Sequence, residues 1–227
     1  FPASIEGMGR ALSINLLLVI VGLFPTYVVA AYGIGTRVFS VIFLPAIAVA
    51  RGVETMTGQN VGADKPDRAE AAANFAARTM FVILGVLGVV AWFAAEPITA
   101  AFTDDQRVIE VGVTFLRYVA PSFGFIGVMR AYNGSFRGTG KTLTAAAIVL
   151  VTYALIRLPT AYGLSQAIDY RGIWIAFAIS NVIGAALTYG WYRRGTWRDV
   201  DVTESPAGPT LGDEIETGAE LETSTDD

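Results

Sequence analysis

The chain has 227 residues, of which 53% are hydrophobic and only 16% charged, with a mean hydropathy of +0.51; a soluble domain carries about 25% charged residues, so the composition points to a membrane-embedded protein. It has no cysteine and no histidine, which removes thiol chemistry, imidazole acid–base work and most zinc sites, and no enzymatic centre, organic cofactor or nucleic-acid partner is read from it. The formal net charge of −4 averages two different objects: residues 199–227 hold ten acidic side chains and no basic one, whereas residues 1–198 hold all 16 basic side chains against the other ten of the 20 acidic ones.

Hydropathy and charge predict six membrane spans in residues 1–198. The first, about 9–31, lies in a charge-free window of 26 residues from Ala11 to Thr36, longer than the ~20 apolar residues a spanning helix needs. Phe24-Pro25 is expected to bend it. The second, about 35–59, has 13 uncharged residues between Arg37 and Arg51 and carries Pro45 in its middle. The third, about 71–95, is uncharged from Thr79 to Ala95 and stops at Glu96-Pro97. A loop follows, in which Thr103 or Asp104 is expected to cap the next helix.

The fourth span, about 108–132, contains Glu110, Arg117, Pro121 and Arg130. The fifth, about 142–164, is uncharged up to Ile156 and then meets Arg157 and Pro159. The sixth, about 172–192, is 21 residues without a charge. Trp174, Trp191, Tyr192 and Trp197 near its two ends read as interfacial anchors. No basic-then-apolar leader precedes the first span, and the chain reads as part of something longer.

Loop charges orient the spans. Arg10, Lys65, Arg68, Arg137, Lys141, Arg193, Arg194 and Arg198 fall on one side, and Arg37, Arg107 and Arg171 on the other. Eight against three places the first side, and both ends of the bundle, in the cytoplasm of a plasma membrane. The acidic segment 199–227 has too little apolar material to fold alone and reads as a disordered cytoplasmic tail.

Several residues stand out against this background. Arg51 and Glu54 share one helix face. An ion pair there can simply hold the bundle together, but an acid inside a span can also gate or respond to an ion, with Arg130 as an alternative partner. Asn15, Tyr27, Tyr32, Asn133 and Asn181 are polar groups in or at the ends of spans. Each either bridges helices or lines an amphipathic cavity. Gly138-Thr139-Gly140-Lys141-Thr142 looks like a phosphate loop but lacks the strand and the leading glycine, so a tight basic turn is the better reading. Prolines 25, 45, 121 and 159 are expected to break four helices, a feature of transporters with interior cavities.

The order of short signals resembles the second half of a multidrug and toxic compound extrusion (MATE) transporter. The signals are Ala30-Ala31-Tyr32-Gly33-Ile34-Gly35, Leu44-Pro45, Gly58-Gln59-Asn60-Val61-Gly62-Ala63 with Pro66, and Phe102-Thr103-Asp104-Asp105. Ser135-Phe136-Arg137-Gly138-Thr139-Gly140-Lys141-Thr142 and Gly172-Ile173-Trp174-Ile175-Ala176 complete the series. The flavour is closest to the branch that includes DNA-damage-inducible efflux proteins.

The resemblance implies an all-α membrane protein of twelve helices in two six-helix lobes, exporting drugs or small organic cations by antiport with H⁺ or Na⁺. This chain would be the C-terminal lobe, helices seven to twelve. Its partners would be the bilayer and an N-terminal lobe or a second half-transporter chain. In the norfloxacin branch, acids on helices seven and ten bind the cation. Here Ile126 stands at the helix-ten position, and Glu6 lies too near Pro2 to match the other, so that site is read as absent. In the other branch the coupling acids belong to the first lobe. Two alternatives remain: a flippase of lipid-linked oligosaccharides from the same superfamily, which would use interior cations such as Arg51, Arg117, Arg130 and Arg157, and a non-transporting scaffold subunit.

Overall fold

A computed structural model describes residues 2–198, and the acidic tail lies outside them. The described residues are helical almost throughout. Nine α-helices run in order: α1 Pro2–Val21, α2 Thr26–Gly62, α3 Pro66–Phe93, the short α4 Ala95–Ala100, α5 Gln106–Val119, α6 Phe123–Gly138, α7 Thr142–Leu150, α8 Leu158–Ile168 and α9 Arg171–Tyr192. A 3₁₀ turn at Ala120–Ser122 joins α5 to α6, and a π-helical stretch at Val151–Arg157 joins α7 to α8. Six rods result. Five are long and apolar enough to cross a membrane: α2, α3, α5–α6, α7–α8 and α9. The sixth, α1, has a shorter apolar part, Gly7–Val21.

The first boundary falls earlier than hydropathy places it. Gly22, Leu23, Phe24 and Pro25 form the turn, so Pro25 does not bend the first helix but ends the connection before the second. Pro25 is extended (φ −56°, ψ 153°) at the start of α2, where its missing N–H costs nothing. The 26-residue charge-free window therefore holds the end of one rod and the start of the next, with an uncharged turn between them. Pro45 is a second departure: it is exposed and α2 continues through it. Pro121 and Pro159 do mark irregular backbone, at the 3₁₀ turn and just past the π stretch. The cap of α5 is neither Thr103 nor Asp104 but Asp105, whose Oδ1 accepts the Arg107 N–H at 2.9 Å.

Without water to squeeze out, helices in lipid associate through close van der Waals contact, which favours small residues. The second half of the fourth rod is built this way on two sides. Toward α2, a Cβ on Gly134 would lie 2.4 Å from the Ala50 carbonyl oxygen, and one on Gly138 would lie 2.2 Å from that of Glu54. Toward α3, a Cβ on Gly127 would lie 2.8 Å from Met80, and one on Gly124 would lie 2.8 Å from the Phe81 carbonyl oxygen. Helix α6 is thus wedged between two neighbours at backbone contact.

The other half of the bundle is filled by rings. Tyr32 stacks on Trp174 at 6.1 Å between centroids, Phe115 meets the Trp174 edge at 4.8 Å, and Phe39 meets Phe43 and Phe123. Trp174 and Trp197 are fully buried and Tyr192 nearly so; of the four expected anchors only Trp191 is exposed. Trp197 folds back to stack on Tyr192 at 4.8 Å and donates to its carbonyl at 3.1 Å. Arg198 then pairs with Asp67 at 3.1 Å and with Glu70, tying the segment after α9 to the start of α3.

A cleft on the charged face of α5

These contacts sort the turns into two ends. Gly58, Gly138, Asp67 and Arg198 meet at one, the basic end. Tyr27, Glu96, Gln106, Tyr170 and Arg171 meet at the other, around a cleft of about 580 Å³. The wall of that cleft is α5. Arg107, Glu110, Thr114 and Arg117 recur every three or four residues, so they form one stripe along the helix. Arg107, Glu110 and Arg117 are exposed, and all four residues line the cleft. Arg117 lies eleven residues into the rod that starts at Gln106, about 16 Å from its end. A charge at that depth cannot face lipid cheaply; it faces water or protein.

Depth separates the signs of charge across the lobe. Among the described residues, every charged side chain at least ten residues from both ends of its spanning rod is an arginine: Arg37, Arg51, Arg78, Arg117 and Arg157. Ten residues are about 15 Å of helix. The acids all sit nearer the ends, Glu54 and Glu110 included.

Arg157 is the one of these that is buried, at 8% exposure. Its Nε donates to Ser180 Oγ at 2.8 Å and its Nη2 to Asn181 Oδ1 at 2.7 Å. The guanidinium also lies 4.3 Å from the Phe177 ring centre and 4.4 Å from that of Tyr153. Asn181 passes the network on, its Nδ2 donating to Ser122 Oγ at 2.8 Å, and Ser122 Oγ donates to the Val119 carbonyl. The network joins the π stretch, the 3₁₀ turn and the middle of α9. None of its members is a carboxylate. Two ring faces and two neutral acceptors hold the charge, an arrangement that charge-assisted hydrogen bonds and cation–π attraction support.

The residues singled out in the sequence fall in different places. Tyr27 is half-buried on the rim of the cleft. Tyr32 and Asn181 are buried in the bundle, and Asn133 is buried with an Oδ1 that finds no donor. Asn15 is exposed and donates back to its own helix at Ala11. Glu54 pairs with Arg51 at 3.8 Å. No ion pair joins Arg130 to Glu54 among the described residues. The Arg130 Nε is buried without a hydrogen-bond partner.

Gly58, Gln59, Asn60, Gly62 and Ala63 close α2 in a turn, where Asn60 accepts the Lys65 N–H at 2.8 Å. Arg137, Gly138 and Gly140 close α6, Arg137 half-buried and Gly140 at φ +71°. That is the tight turn expected of the phosphate-loop lookalike. The cleft stripe itself was visible as isolated charges in an apolar span, but hydropathy alone does not say that Arg107, Glu110 and Arg117 share a wall with Tyr27 and Tyr170.

The model of the MatE family matches residues 2–163. The chain belongs to the MatE family. It is 25% identical over 197 residues to a protein of Bacillus subtilis named "Probable multidrug resistance protein YpnP", a match covering 87% of this chain and 44% of the relative. It is 24% identical over 189 residues to a FAD transporter of Shewanella oneidensis, covering 83% of this chain and 42% of that protein. Its fold superposes on the crystal structure of the Vibrio cholerae MATE transporter VcmN in the bent form, with TM-score 0.82 and 20% identity, over 85% of this chain and 44% of that one. The chain thus spans less than half the length of these relatives. MatE members are secondary transporters rather than enzymes.

Proposed function

We propose that this chain is the C-terminal half of an efflux transporter that exports drugs or organic cations by antiport with H⁺ or Na⁺. The observation that carries the reading is the exposed charged stripe on α5. A spanning helix that shows Arg107, Glu110, Thr114 and Arg117 along one face needs an aqueous passage or a second lobe there. The half-length match supports a two-lobed whole, with parallel lobes rocking about a central cavity. In this reading the basic end faces the cytoplasm, the cleft opens at the opposite face of the plasma membrane, and the coupling acid belongs to the complementary lobe. Arg51 and Glu54 brace α2 near the basic end.

The test is dye movement in everted vesicles carrying this chain with its complementary six-helix half. Ethidium accumulation driven by an H⁺ or Na⁺ gradient, and abolished by collapsing it, supports the reading. Accumulation indifferent to both gradients sinks it. The membrane-depth arginines favour one second reading, a flippase for anionic lipid-linked sugars, which would scramble its lipid without any gradient.

A further inference from the structure

We propose that the cleft between α5 and α9 seats a negatively charged group of the transported molecule, a carboxylate or a phosphate, on the Arg117 guanidinium. The inference rests on reading this cleft as part of the transport passage, and it narrows the substrate class. Its grounds are the distribution of charge with depth. At the mouth the signs are mixed: Glu96 and Arg171 lie near helix ends, and Arg107 and Glu110 belong to the first turns of α5. Seven residues beyond Glu110, about 10 Å along the helix, stands Arg117.

Arg117 is exposed, and no carboxylate of the described residues pairs with it. Beyond it the bundle holds Arg157 on neutral partners only. The lining carries Arg107, Arg117 and Arg171 against Glu96 and Glu110, and an unpaired cation between low-dielectric walls raises the local concentration of anionic groups. The planar guanidinium presents paired N–H donors that match the two oxygens of a carboxylate or a phosphate. Tyr27 and Tyr170 on the rim offer ring surface for a flat body attached to that group. An amine-bearing part could still rest on Glu110 nearer the mouth, which leaves room for a drug that carries both signs.

The test compares two xanthene dyes of opposite charge, carboxyfluorescein and rhodamine 6G. Their binding to purified chain in phosphatidylcholine nanodiscs is followed by anisotropy, so neither the coupling ion nor the second lobe is needed. Carboxyfluorescein should bind saturably and more tightly than rhodamine 6G. Arg117→Gln should weaken it at least about tenfold, as expected for one charge-assisted contact. Arg117→Lys should lose less, and rhodamine 6G should bind Arg117→Gln as well as or better than the wild type. Circular dichroism of both variants checks that the fold is kept.

Adding phosphatidylglycerol to the nanodiscs distinguishes the sources of the group: competition at Arg117 assigns it to a lipid headgroup, and its absence to a solute. Carboxyfluorescein binding that is unsaturable, or unmoved by Arg117→Gln, overturns the proposal. That result would leave gradient-driven ethidium efflux standing. Intact anion binding with no gradient-driven transport would instead remove the antiporter reading and keep the site.

Discussion

The rod from Gln106 to Gly138 is two different objects joined at Pro121. In α6, the half beyond the break, glycines at 124, 127, 134 and 138 bring two neighbouring backbones into contact, and 11 of its 16 residues are buried. In α5, the half before it, the apolar face holds Phe115 and Leu116 in the aromatic core while the opposite face shows Arg107, Glu110 and Arg117 to the cleft. One half is packed against backbone on two sides, and the other turns charge toward a cleft. The contrast shows how one spanning rod serves both as a packing element and as a wall: backbone proximity needs glycine, an aqueous face needs charge, and the 3₁₀ turn lets the two faces be set independently.

The largest effect should come from filling the glycine face. Gly134→Val puts branched carbon where even a Cβ would lie 2.4 Å from the Ala50 carbonyl oxygen, and the only relief is to push α2 and α6 apart. Overpacking typically costs about 1–3 kcal/mol and here, with backbone on the far side, about 3 kcal/mol or more. Thermal unfolding in detergent, with recovery of monodisperse protein, should show that loss. Gly85→Ala is the matched control. Nothing lies within 4 Å of the Cβ it would add, and helix propensity alone should make it neutral or stabilising by up to about 1 kcal/mol. Equal damage from both substitutions would remove the claim that close approach sets the packing of α6.

Next in size is the junction. Asn181→Leu takes away the acceptor of Arg157 Nη2 and the donor to Ser122 Oγ in one step. A buried guanidinium left with an orphaned N–H should cost about 2–3 kcal/mol. The same unfolding measurement reads it, and Arg157→Met in the same background should return much of the loss, because it removes the stranded charge. If Asn181→Leu alone is silent, the network does not hold the π stretch, the 3₁₀ turn and α9 together.

Much of this contrast could be read from residues, and some could not. The all-helical class and the apolar rods follow from long charge-free runs, and Pro121 and Pro159 do mark the non-α backbone. The α1–α2 boundary was misplaced because a four-residue turn without a charge is invisible to hydropathy. Trp174 looked like an anchor by its position near a helix start, but three-dimensional packing against Tyr32 and Phe115 puts it in the core. Of the cations named for the flippase alternative, Arg157 is buried, while Arg51 and Arg117 are exposed. The partners of Arg157, 23 and 24 residues away, have no spacing rule to reveal them. The cleft needed the fold, since α4, α5 and α9 supply its lining from stretches that are far apart in the chain.

A smaller effect tests the tie at the basic end. Arg198 reaches Asp67 at 3.1 Å and also pairs with Glu70; Asp67 is exposed and the other two are half-buried at the surface. Exposed pairs are worth about 0.2–1 kcal/mol and are weakened by salt. Arg198→Ala should therefore lower stability by less than about 1 kcal/mol, with the difference shrinking in high salt. A larger, salt-insensitive loss would mean that the Arg198 guanidinium, 5.4 Å from the centre of the Trp197 ring, contributes more through that ring than through its ion pairs.

The smallest expected effect on stability sharpens the comparison most. Arg117 belongs to the wall, not to the packing: it is exposed, while its neighbour Leu116 is buried. Arg117→Gln should leave unfolding within about 0.5 kcal/mol of the wild type, as for an exposed position outside the core. The two halves of the rod then differ in kind. Substitution in α6 is read in the melting curve, and substitution on the α5 stripe is read in what the cleft binds. If Arg117→Gln destabilises the bundle as much as Asn181→Leu does, the stripe is part of the internal architecture, and the cleft loses its claim to be a passage.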